Sequence, residues 1–159
     1  MNFNSTISNP SSWINSNKEL LGLNWSRNSI SDHFKNKNCR NIFLQDNDIP
    51  KGVLLGHFLY EDQRTIEFEI LHIAIIPDSR NQGFGYELLL ELEKQLKKPT
   101  KSTKIFLEVN SGNKFAIKLY EKLGYKTYNE RKNYYGSKSI NSSVSQDAIL
   151  FAKSLNAIS

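Results

Sequence analysis

A short turn in the middle of the chain has residue types that bind a diphosphate. Arg80 is followed by Gly83 and Gly85, shortly after an apolar segment that ends at Ile76. Glycine lets the backbone approach a ligand at positions where a side chain would collide with it. The helix expected next adds free N–H groups and the positive end of its dipole, and both favour phosphates. The turn is therefore typical of a phosphate-binding site.

The two glycines alone admit other interpretations. A dinucleotide-binding turn would have a third glycine near Leu88 and its first glycine directly after the strand, and this sequence has neither. Glu108 does stand about 20 residues further on, where a ribose-binding acid would lie. However, 159 residues hardly accommodate two nucleotide-binding halves and a substrate site. A P-loop is excluded because its G-x-x-x-x-G-K-[ST] pattern is absent. A glycine turn that begins an ordinary helix remains an alternative.

Two other residues could supply acid–base chemistry. Glu108 lies in an apolar strand, on the face opposite to Ile105 and Leu107. A carboxylate there is costly to bury without a partner, which makes it a candidate general base, but a glutamate that reaches solvent fits the pattern equally well. Tyr120 carries a phenol that is protonated at neutral pH and can donate to a leaving group. On an amphipathic helix, a tyrosine is more commonly a core residue.

The histidines and the cysteine give weaker signals. His72 lies beside the proposed site, where a lone histidine is more often a hydrogen-bonded core residue than a base. His33 and His57 have no companions at metal-ligand spacing, and Cys39 has no evident catalytic partner. We therefore expect no metal site.

The helix after the glycine turn is well specified. Residues 87–98 have glutamates early and lysines late, as the helix dipole favours, and Pro99 ends the pattern. Glu93 is placed to pair with Lys97. One apolar face is formed by Leu88, Leu89, Leu92 and Leu96.

Apolar periodicity and turn residues place the other elements around it. Strands are predicted at 41–45, 52–60, 65–76 and 105–109, with a final hairpin of 125–135 and 146–153 and its loop at 136–145. Residues 1–9 either form a short first strand or fray. Helices are predicted at 10–21, after the N-cap Ser26, and at 113–123 before Gly124. The last helix has one apolar face, formed by Phe115, Ala116, Leu119, Tyr120 and Leu123.

Composition limits the class of protein. The chain is expected to form one domain, 1–159, in which residues 1–10 either fray or add a first strand, and a hydrophobic content of 38% suits a globular protein. The single Cys39, the lack of a secretory signal and the absence of an apolar run near the roughly 18 residues that span a bilayer favour a cytoplasmic protein without membrane contact. The net charge of +5 suits anionic partners such as cofactor phosphates or ribosomal surfaces, but lysine-rich proteins with this charge more commonly have no such partner. No basic run interleaved with aromatic residues predicts direct reading of nucleic acid.

Three segments resemble a known superfamily. The turn Arg80–Gly85 resembles the acetyl-CoA pyrophosphate loop of the GNAT acyltransferases, and residues 107–113 and 116–125 look like that superfamily's second conserved block. Residues 131–135, with Asp147 and Ala148 after a loop, resemble the protein N-terminal acetyltransferases. The similarity is greatest to the bacterial RimI type, which acetylates the N-terminal alanine of a small-subunit ribosomal protein. It covers roughly residues 25 to 155.

The resemblance implies a fold, a reaction and a set of site residues. The fold would be α/β (α+β), the GNAT acyl-CoA N-acyltransferase fold, with a mixed, mostly antiparallel central sheet flanked by helices on both faces. Glu108 would be the general base, acting through an ordered water, and Tyr120 the general acid. The Ile75 N–H would stabilise the oxyanion. Acetyl-CoA would be bound by Ile73, Ala74, Ile75, Arg80, Asn81, Gln82, Gly83, Phe84, Gly85, Tyr86 and Asn113, and the acceptor by Trp25, Tyr134 and Tyr135.

One departure from the family pattern concerns the turn. Arg80 is followed by Asn81, whereas the commoner pattern has Arg-Arg or Gln-Arg. One positive charge is therefore missing, which bears on how tightly acetyl-CoA binds.

The acceptor implied by the resemblance is a protein N-terminus. A free α-amine has a pKa near 7.7 to 8.0 and a lysine amine near 10.4, so deprotonating the α-amine at neutral pH costs about 3.4 kcal/mol less. A modest base is then sufficient. Three alternatives remain: acetylation of small amines or lysine side chains, a CoA-binding regulatory module without turnover, and a basic ribosome-associated factor.

Overall fold

The computed structural model describes residues 2–4, 6–132, 134 and 147–156. Within these residues, the chain forms seven strands and four α-helices. They are β1 (Asn2–Asn4), α1 (Pro10–Asn17), α2 (Arg27–Lys35), β2 (Cys39–Asp46), β3 (Ile49–Glu61), β4 (Thr65–Ile75), α3 (Phe84–Leu96), β5 (Ser102–Asn110), α4 (Lys114–Lys122), β6 (Lys126–Arg131) and β7 (Ala148–Leu155). A single 3₁₀ turn, Pro77–Ser79, connects β4 to the glycine turn.

The seven strands form one mixed sheet in the order β1-β2-β3-β4-β5-β7-β6. Among the strands of the described residues, only the β4–β5 pair is parallel, because α3 crosses over between these two strands. The other pairs are antiparallel. This confirms the mixed, mostly antiparallel sheet that the resemblance implied.

The parallel pair separates before its strands end. Pairing of β4 with β5 runs from Thr65 opposite Ser102 to Ile70 opposite Leu107, although β4 continues to Ile75 and β5 to Asn110. On the other side of β4, the register with β3 skips Leu71. This is a β-bulge, which bends a strand and increases its twist, so it accounts for the point at which β4 departs from β5.

Two hydrophobic clusters cover the two faces of the sheet. One contains four of the five α3 leucines, all except Leu90, together with Tyr120 of α4 and Ile105 and Leu107 of β5. The other contains Ile14 of α1 and Ile30 of α2. The alternating burial of β5 puts Glu108 on the opposite face from the α3 cluster. Helices therefore flank both faces, as expected.

Local signals in the sequence specify several element ends. The Ser26 hydroxyl accepts a hydrogen bond from the Ser29 N–H at 3.0 Å and caps α2. Asn47 and Asp48 have φ angles of 48° and 63°, which suit a two-residue hairpin turn. Gly124 follows α4 with φ of 84°, as a left-handed cap requires. These three predictions are confirmed.

Three details of the packing differ from the predictions. Helix α1 ends at Asn17 and not near residue 21, since its asparagine side chains bond main-chain carbonyls four residues back and compete with the backbone. Lys97 leaves the helix, so Glu93 pairs instead with Lys153 at 2.6 Å. Phe115 is 88% exposed, so it is not buried with the other apolar residues of α4.

The two ends of the chain agree with the predictions. Residues 2–4 form the edge strand β1, which pairs with β2, so the first of the two alternatives for this segment is observed. Strands β6 and β7 pair antiparallel as the final hairpin, with β7 between β5 and β6. Residues 135–146, which include Tyr135 and the predicted loop, lie outside the described residues. No helix in the described ranges combines the length and the apolar character needed to cross a bilayer.

Candidate active site

A cavity of about 590 Å³ lies between the glycine turn, the end of β4 and helix α4. It brings together most of the residues predicted to bind the cofactor. Its lining is formed by Leu21, Ile73, Ala74, Ile75, Ser79, Arg80, Asn81, Gly83, Phe84, Gly85, Asn113, Phe115, Ala116, Leu119 and Tyr120. Leu21 and Ala74 belong to one hydrophobic cluster, and Tyr120 to the other. We call this space the turn cavity. Because its lining includes residues of both clusters, it extends from one face of the sheet to the other, along the part of β4 that is not paired with β5.

The glycine turn has room for a ligand against its backbone. Gly83 has φ of 84°, which favours glycine, and a Cβ built on it would meet nothing within 4 Å. Gly85 has no such φ, and a Cβ there would be in ordinary contact with Leu119 Cδ2 at 3.4 Å. Neither packing nor backbone strain requires glycine at position 85, so its occurrence in the cavity wall fits the close approach of a ligand.

The start of α3 provides the hydrogen-bond donors of this cavity. Its N-cap residue is Gly83, which has no side chain to cap the helix. The first N–H groups of a helix have no partner within the helix. Asn81 also has a left-handed backbone, with φ of 60°. Successive N–H groups in such a turn form an anion-binding concavity, so the geometry fits a diphosphate.

Arg80 has a structural role that its sequence position did not reveal. Its Nε donates to the Ile75 carbonyl at 2.9 Å, and its Nη2 donates to the Leu20 carbonyl at 2.9 Å. The guanidinium therefore ties the turn to the end of β4 and to the segment after α1, while it also lines the cavity.

Two residues of the predicted phosphate loop do not line the cavity with their side chains. The Gln82 amide donates to the Asp78 carbonyl at 3.4 Å. The Tyr86 ring lies under Lys122 Nζ at 5.0 Å and packs α3 against α4. Asn113 does line the cavity, but its Oδ1 accepts from the Ala116 N–H at 3.1 Å and caps α4.

Tyr120 is both a core residue and part of the cavity wall. It is 4% exposed, and its ring lies 5.9 Å from the rings of Tyr125 and Phe151. The two interpretations made from the sequence are therefore compatible.

Glu108 lies in a second cavity, of about 380 Å³, which it shares with Glu69, Arg131, Tyr128 and Tyr134. Its Oε2 accepts from Arg131 Nη1 at 3.1 Å, and its side chain is 23% exposed. The Arg131 guanidinium also lies 5.2 Å from the centre of the Tyr134 ring. The carboxylate is thus held in place yet accessible. We call this space the acceptor cavity.

The two cavities adjoin the gap where β4 and β5 separate. Ile73 and Ile75, beyond the end of the pairing, line the turn cavity. Ile70, Leu71 and Leu107, at the end of the pairing, line the acceptor cavity. Two reactants bound on opposite sides of the sheet could meet only at this gap.

Trp25 borders a cavity next to the acceptor cavity and not the acceptor cavity itself. It does not line the turn cavity either, and its ring packs against His33 at 5.3 Å. Together they border this third cavity, of about 380 Å³, which shares only Leu71 with the acceptor cavity. Tyr134 does line the acceptor cavity and is 51% exposed.

The histidines have hydrogen-bond partners. His72 Nε2 donates to the Leu21 carbonyl at 2.9 Å, and burial lowers the pKa of His72. His33 lies 2.7 Å from Asn41 Oδ1, and His57 lies 3.0 Å from Glu69. Among the residues that the structure describes, no group of three or more His, Cys, Asp or Glu side chains could hold a metal ion.

Sequence reasoning missed Arg131 and Glu69 as residues of this site. Arg131 stood in a segment that carried the resemblance, but its distance from Glu108 along the chain gave no sign of contact. The Glu108 and Arg131 side chains meet because β5, which carries Glu108, and β6, which carries Arg131, lie on either side of β7 in the sheet.

Comparisons with known proteins agree with this geometry. Residues 11–125 match the acetyltransferase (GNAT) family. The chain is 42% identical over 69 residues to the [ribosomal protein bS18]-alanine N-acetyltransferase of Escherichia coli K12, which is 43% of this chain and 46% of that protein. It is 33% identical over 86 residues to an N-alpha-acetyltransferase of Sulfurisphaera tokodaii, covering 54% of this chain and 47% of that protein. The matches span about half the length of these curated relatives.

A solved structure extends the similarity over most of the fold. The crystal structure of the ribosomal-protein-S18-alanine N-acetyltransferase from Escherichia coli superposes with a TM-score of 0.80 and 25% identity. The superposition covers 96% of this chain and 92% of that one. With the family match over residues 11–125, these findings show that the chain belongs to the GNAT acetyltransferase family.

Proposed function

We propose that this protein transfers the acetyl group of acetyl-CoA to the N-terminal α-amine of a protein, directly and within a ternary complex. The observation that carries the proposal is the gap between β4 and β5, with a cavity on either side. Acetyl-CoA, when bound, supplies an acetyl thioester. Residues of the chain must bind the two reactants, stabilise the oxyanion and carry out the two proton transfers.

The turn cavity holds the cofactor in this proposal. The N–H groups at the start of α3 bind the diphosphate. Residues Ile73 to Ile75 pair with β3 alone, which leaves main-chain groups on the other edge of β4 for the pantetheine amides. The Ile75 N–H is placed at the end of this edge and donates to the carbonyl oxygen as it gains negative charge.

The acceptor cavity receives the peptide N-terminus. The carboxylates of Glu69 and Glu108 attract a protonated amine, and Tyr134 forms part of the wall. Arg131 orients the Glu108 carboxylate. Glu108 accepts the proton that the amine loses, through an ordered water, since a peptide N-terminus must fit between them.

Tyr120, in the wall of the turn cavity, supplies the proton that the leaving thiolate needs. As the amine nitrogen bonds to the acetyl carbon, the bond from that carbon to sulfur breaks, and Tyr120 donates its proton to the departing sulfur. The buried ring contacts of Tyr120 fix the direction of its hydroxyl. Alignment of the two reactants contributes more to the rate than either proton transfer.

The chemistry of the acceptor follows from the base. A half-buried carboxylate suits an α-amine better than a lysine amine, whose pKa is about 2.5 units higher. The names of the relatives suggest a ribosomal protein with an N-terminal alanine as the acceptor, and such a reaction would take place in the cytoplasm.

The test uses synthetic peptides and mass spectrometry. We expect acetylation of a peptide with a free N-terminal alanine and an internal lysine to occur on the α-amine. The same peptide with a blocked α-amine serves as the matched control and should remain unmodified. Acetylation of the blocked peptide, or of a polyamine at an equal or greater rate, would replace the proposal with a lysine or small-amine acetyltransferase. Binding of CoA without any transfer would indicate a regulatory module.

A further inference from the structure

One exposed aromatic side chain in the turn cavity has no explanation in the fold. Phe115 is 88% exposed, and the next most exposed large apolar residue of the described chain, Ile49, is 58% exposed. Phe115 lies in the first turn of α4 and lines the turn cavity. Exposing such a ring to water is unfavourable, and a ligand bound in the cavity would bury it.

The position of Phe115 relative to the glycine turn is set by Leu119. Leu119 Cδ2 lies 3.4 Å from the Cβ position of Gly85. Phe115 precedes Leu119 by one helical turn on the same face, about 6 Å along the axis. Helical side chains lean towards the N-terminus of their helix, which carries the ring further in that direction. Tyr120 follows Leu119 directly, in the opposite direction along the helix from Phe115. The wall that α4 gives to the cavity therefore runs from Tyr120, past Leu119 beside the glycine turn, to Phe115.

The order of Tyr120, the glycine turn and Phe115 along the cavity matches the order of thioester, diphosphate and nucleoside in CoA. The inference that follows rests on the proposed function, in which CoA binds in this cavity. A ligand with its thioester at Tyr120 and its diphosphate at the turn has its nucleoside beyond the diphosphate. We propose that Phe115 stacks on the adenine base and that this ring sets the preference for a nucleotide-containing thioester. Lys114 and Lys118 are exposed next to Phe115 and form no ion pair with a described residue. Their charge is therefore available to the phosphate groups that the adenosine of CoA carries.

Isothermal titration of three ligands tests this inference without any need for turnover. The ligands are CoA, 3′-dephospho-CoA and 4′-phosphopantetheine, which lacks the adenosine. For Phe115→Ala, we expect the Kd of both CoA and 3′-dephospho-CoA to rise about 5- to 100-fold, the range that loss of base stacking gives. The Kd of 4′-phosphopantetheine should stay within about twofold of the wild-type value.

Two further variants make the result specific. Phe115→Trp keeps a flat aromatic surface and should bind CoA at least as tightly as wild type. Leu90→Ala removes another exposed apolar side chain, 41% exposed, and should leave all three affinities unchanged, since Leu90 lines none of the cavities. Because Phe115 is exposed and alanine favours helix, the alanine variant should fold, which circular dichroism checks.

The failures of the two proposals are distinguishable. If CoA binds wild type and Phe115→Ala equally tightly, the adenine contact is refuted while the acetyltransferase proposal stands. An equal loss of affinity for CoA and 4′-phosphopantetheine would also refute it, because the ring would then act on the shared part of the ligand. If CoA does not bind the wild-type protein at all, both proposals fail.

Discussion

Replacing Glu108 with glutamine separates proton transfer from every other contribution to the rate. Glutamine keeps the size of the side chain and an oxygen that can accept from Arg131, which now lies 3.1 Å from the carboxylate. The acceptor cavity should therefore keep its shape. General base catalysis contributes about 10²- to 10⁴-fold, and we expect kcat at pH 7 to fall by that factor. Affinity for acetyl-CoA should not change, since Glu108 does not line the turn cavity.

The pH dependence of this variant gives a sharper test. Without a base, the reaction depends on the fraction of acceptor amine that is already unprotonated, about a tenth at pH 7 for an α-amine. The rate of Glu108→Gln should therefore rise about tenfold per pH unit up to pH 7 and level off above pH 8. A continuous thiol-release assay from pH 6 to 9.5, with a peptide acceptor at saturation, measures both the loss and the recovery.

Glu130→Gln is the matched control. It removes a carboxylate one residue from Arg131, at the surface, where Glu130 pairs with Lys132 and lines neither cavity. Its rate should equal that of wild type at every pH. An unchanged kcat in Glu108→Gln, or a loss that high pH does not reduce, would remove Glu108 from proton transfer and refute the reasoning.

Three other outcomes follow from the geometry. Tyr120→Phe keeps the buried ring, so we expect the melting temperature to change little while kcat falls about 100-fold or more; a normal kcat would contradict the assignment of the acid. Gly83→Ala forces a side chain into a left-handed backbone with φ of 84°, which costs about 1–2 kcal/mol in urea unfolding and should weaken CoA binding measured by calorimetry; unchanged stability would show that the turn can relax. His72 has a lowered pKa because it is buried, so the unfolded state binds the proton more readily and stability falls as pH drops below about 6.5; urea unfolding at pH 7.5 and 5.5 should show a shallower decrease in His72→Gln than in wild type.

The fold was largely predictable because its signals are local. Ser26 caps α2 through its own hydroxyl, Asn47 and Asp48 tolerate positive φ, and Gly124 ends α4 for the same reason. The buried face of α3 follows from leucine spacing alone. None of these features depends on distant parts of the chain.

The candidate site was less predictable because its contacts are long-range. The bulge at Leu71 lies where the pairing of β4 with β3 shifts register, between Leu55 and Gly56 of β3. Gly56 is packed closely there, since a Cβ on it would lie 2.5 Å from the Phe68 ring. The Glu108–Arg131 pair depends on the insertion of β7 between β5 and β6. Arg80 was expected to contact phosphate, but it also holds two carbonyls whose positions the sequence does not reveal.

Phe115 illustrates a third kind of limit. Helical spacing placed it on the apolar face of α4, and the structure shows the ring exposed at 88%. Periodicity describes which residues share a face, but it cannot show how far the neighbouring helix extends to cover that face. Here Leu119 lies against Gly85 of α3, whereas Phe115, one helical turn earlier, is exposed.

A crystal structure with a bisubstrate conjugate, CoA joined through an acetyl group to the α-amine of a peptide, tests the central claim most directly. We predict that the CoA half lies in the turn cavity against Gly83 and Ile75, the peptide half lies in the acceptor cavity beside Glu108, and the acetyl link passes through the gap between β4 and β5. A conjugate bound with both halves on one side of the sheet, or one excluded from the gap, would contradict the account.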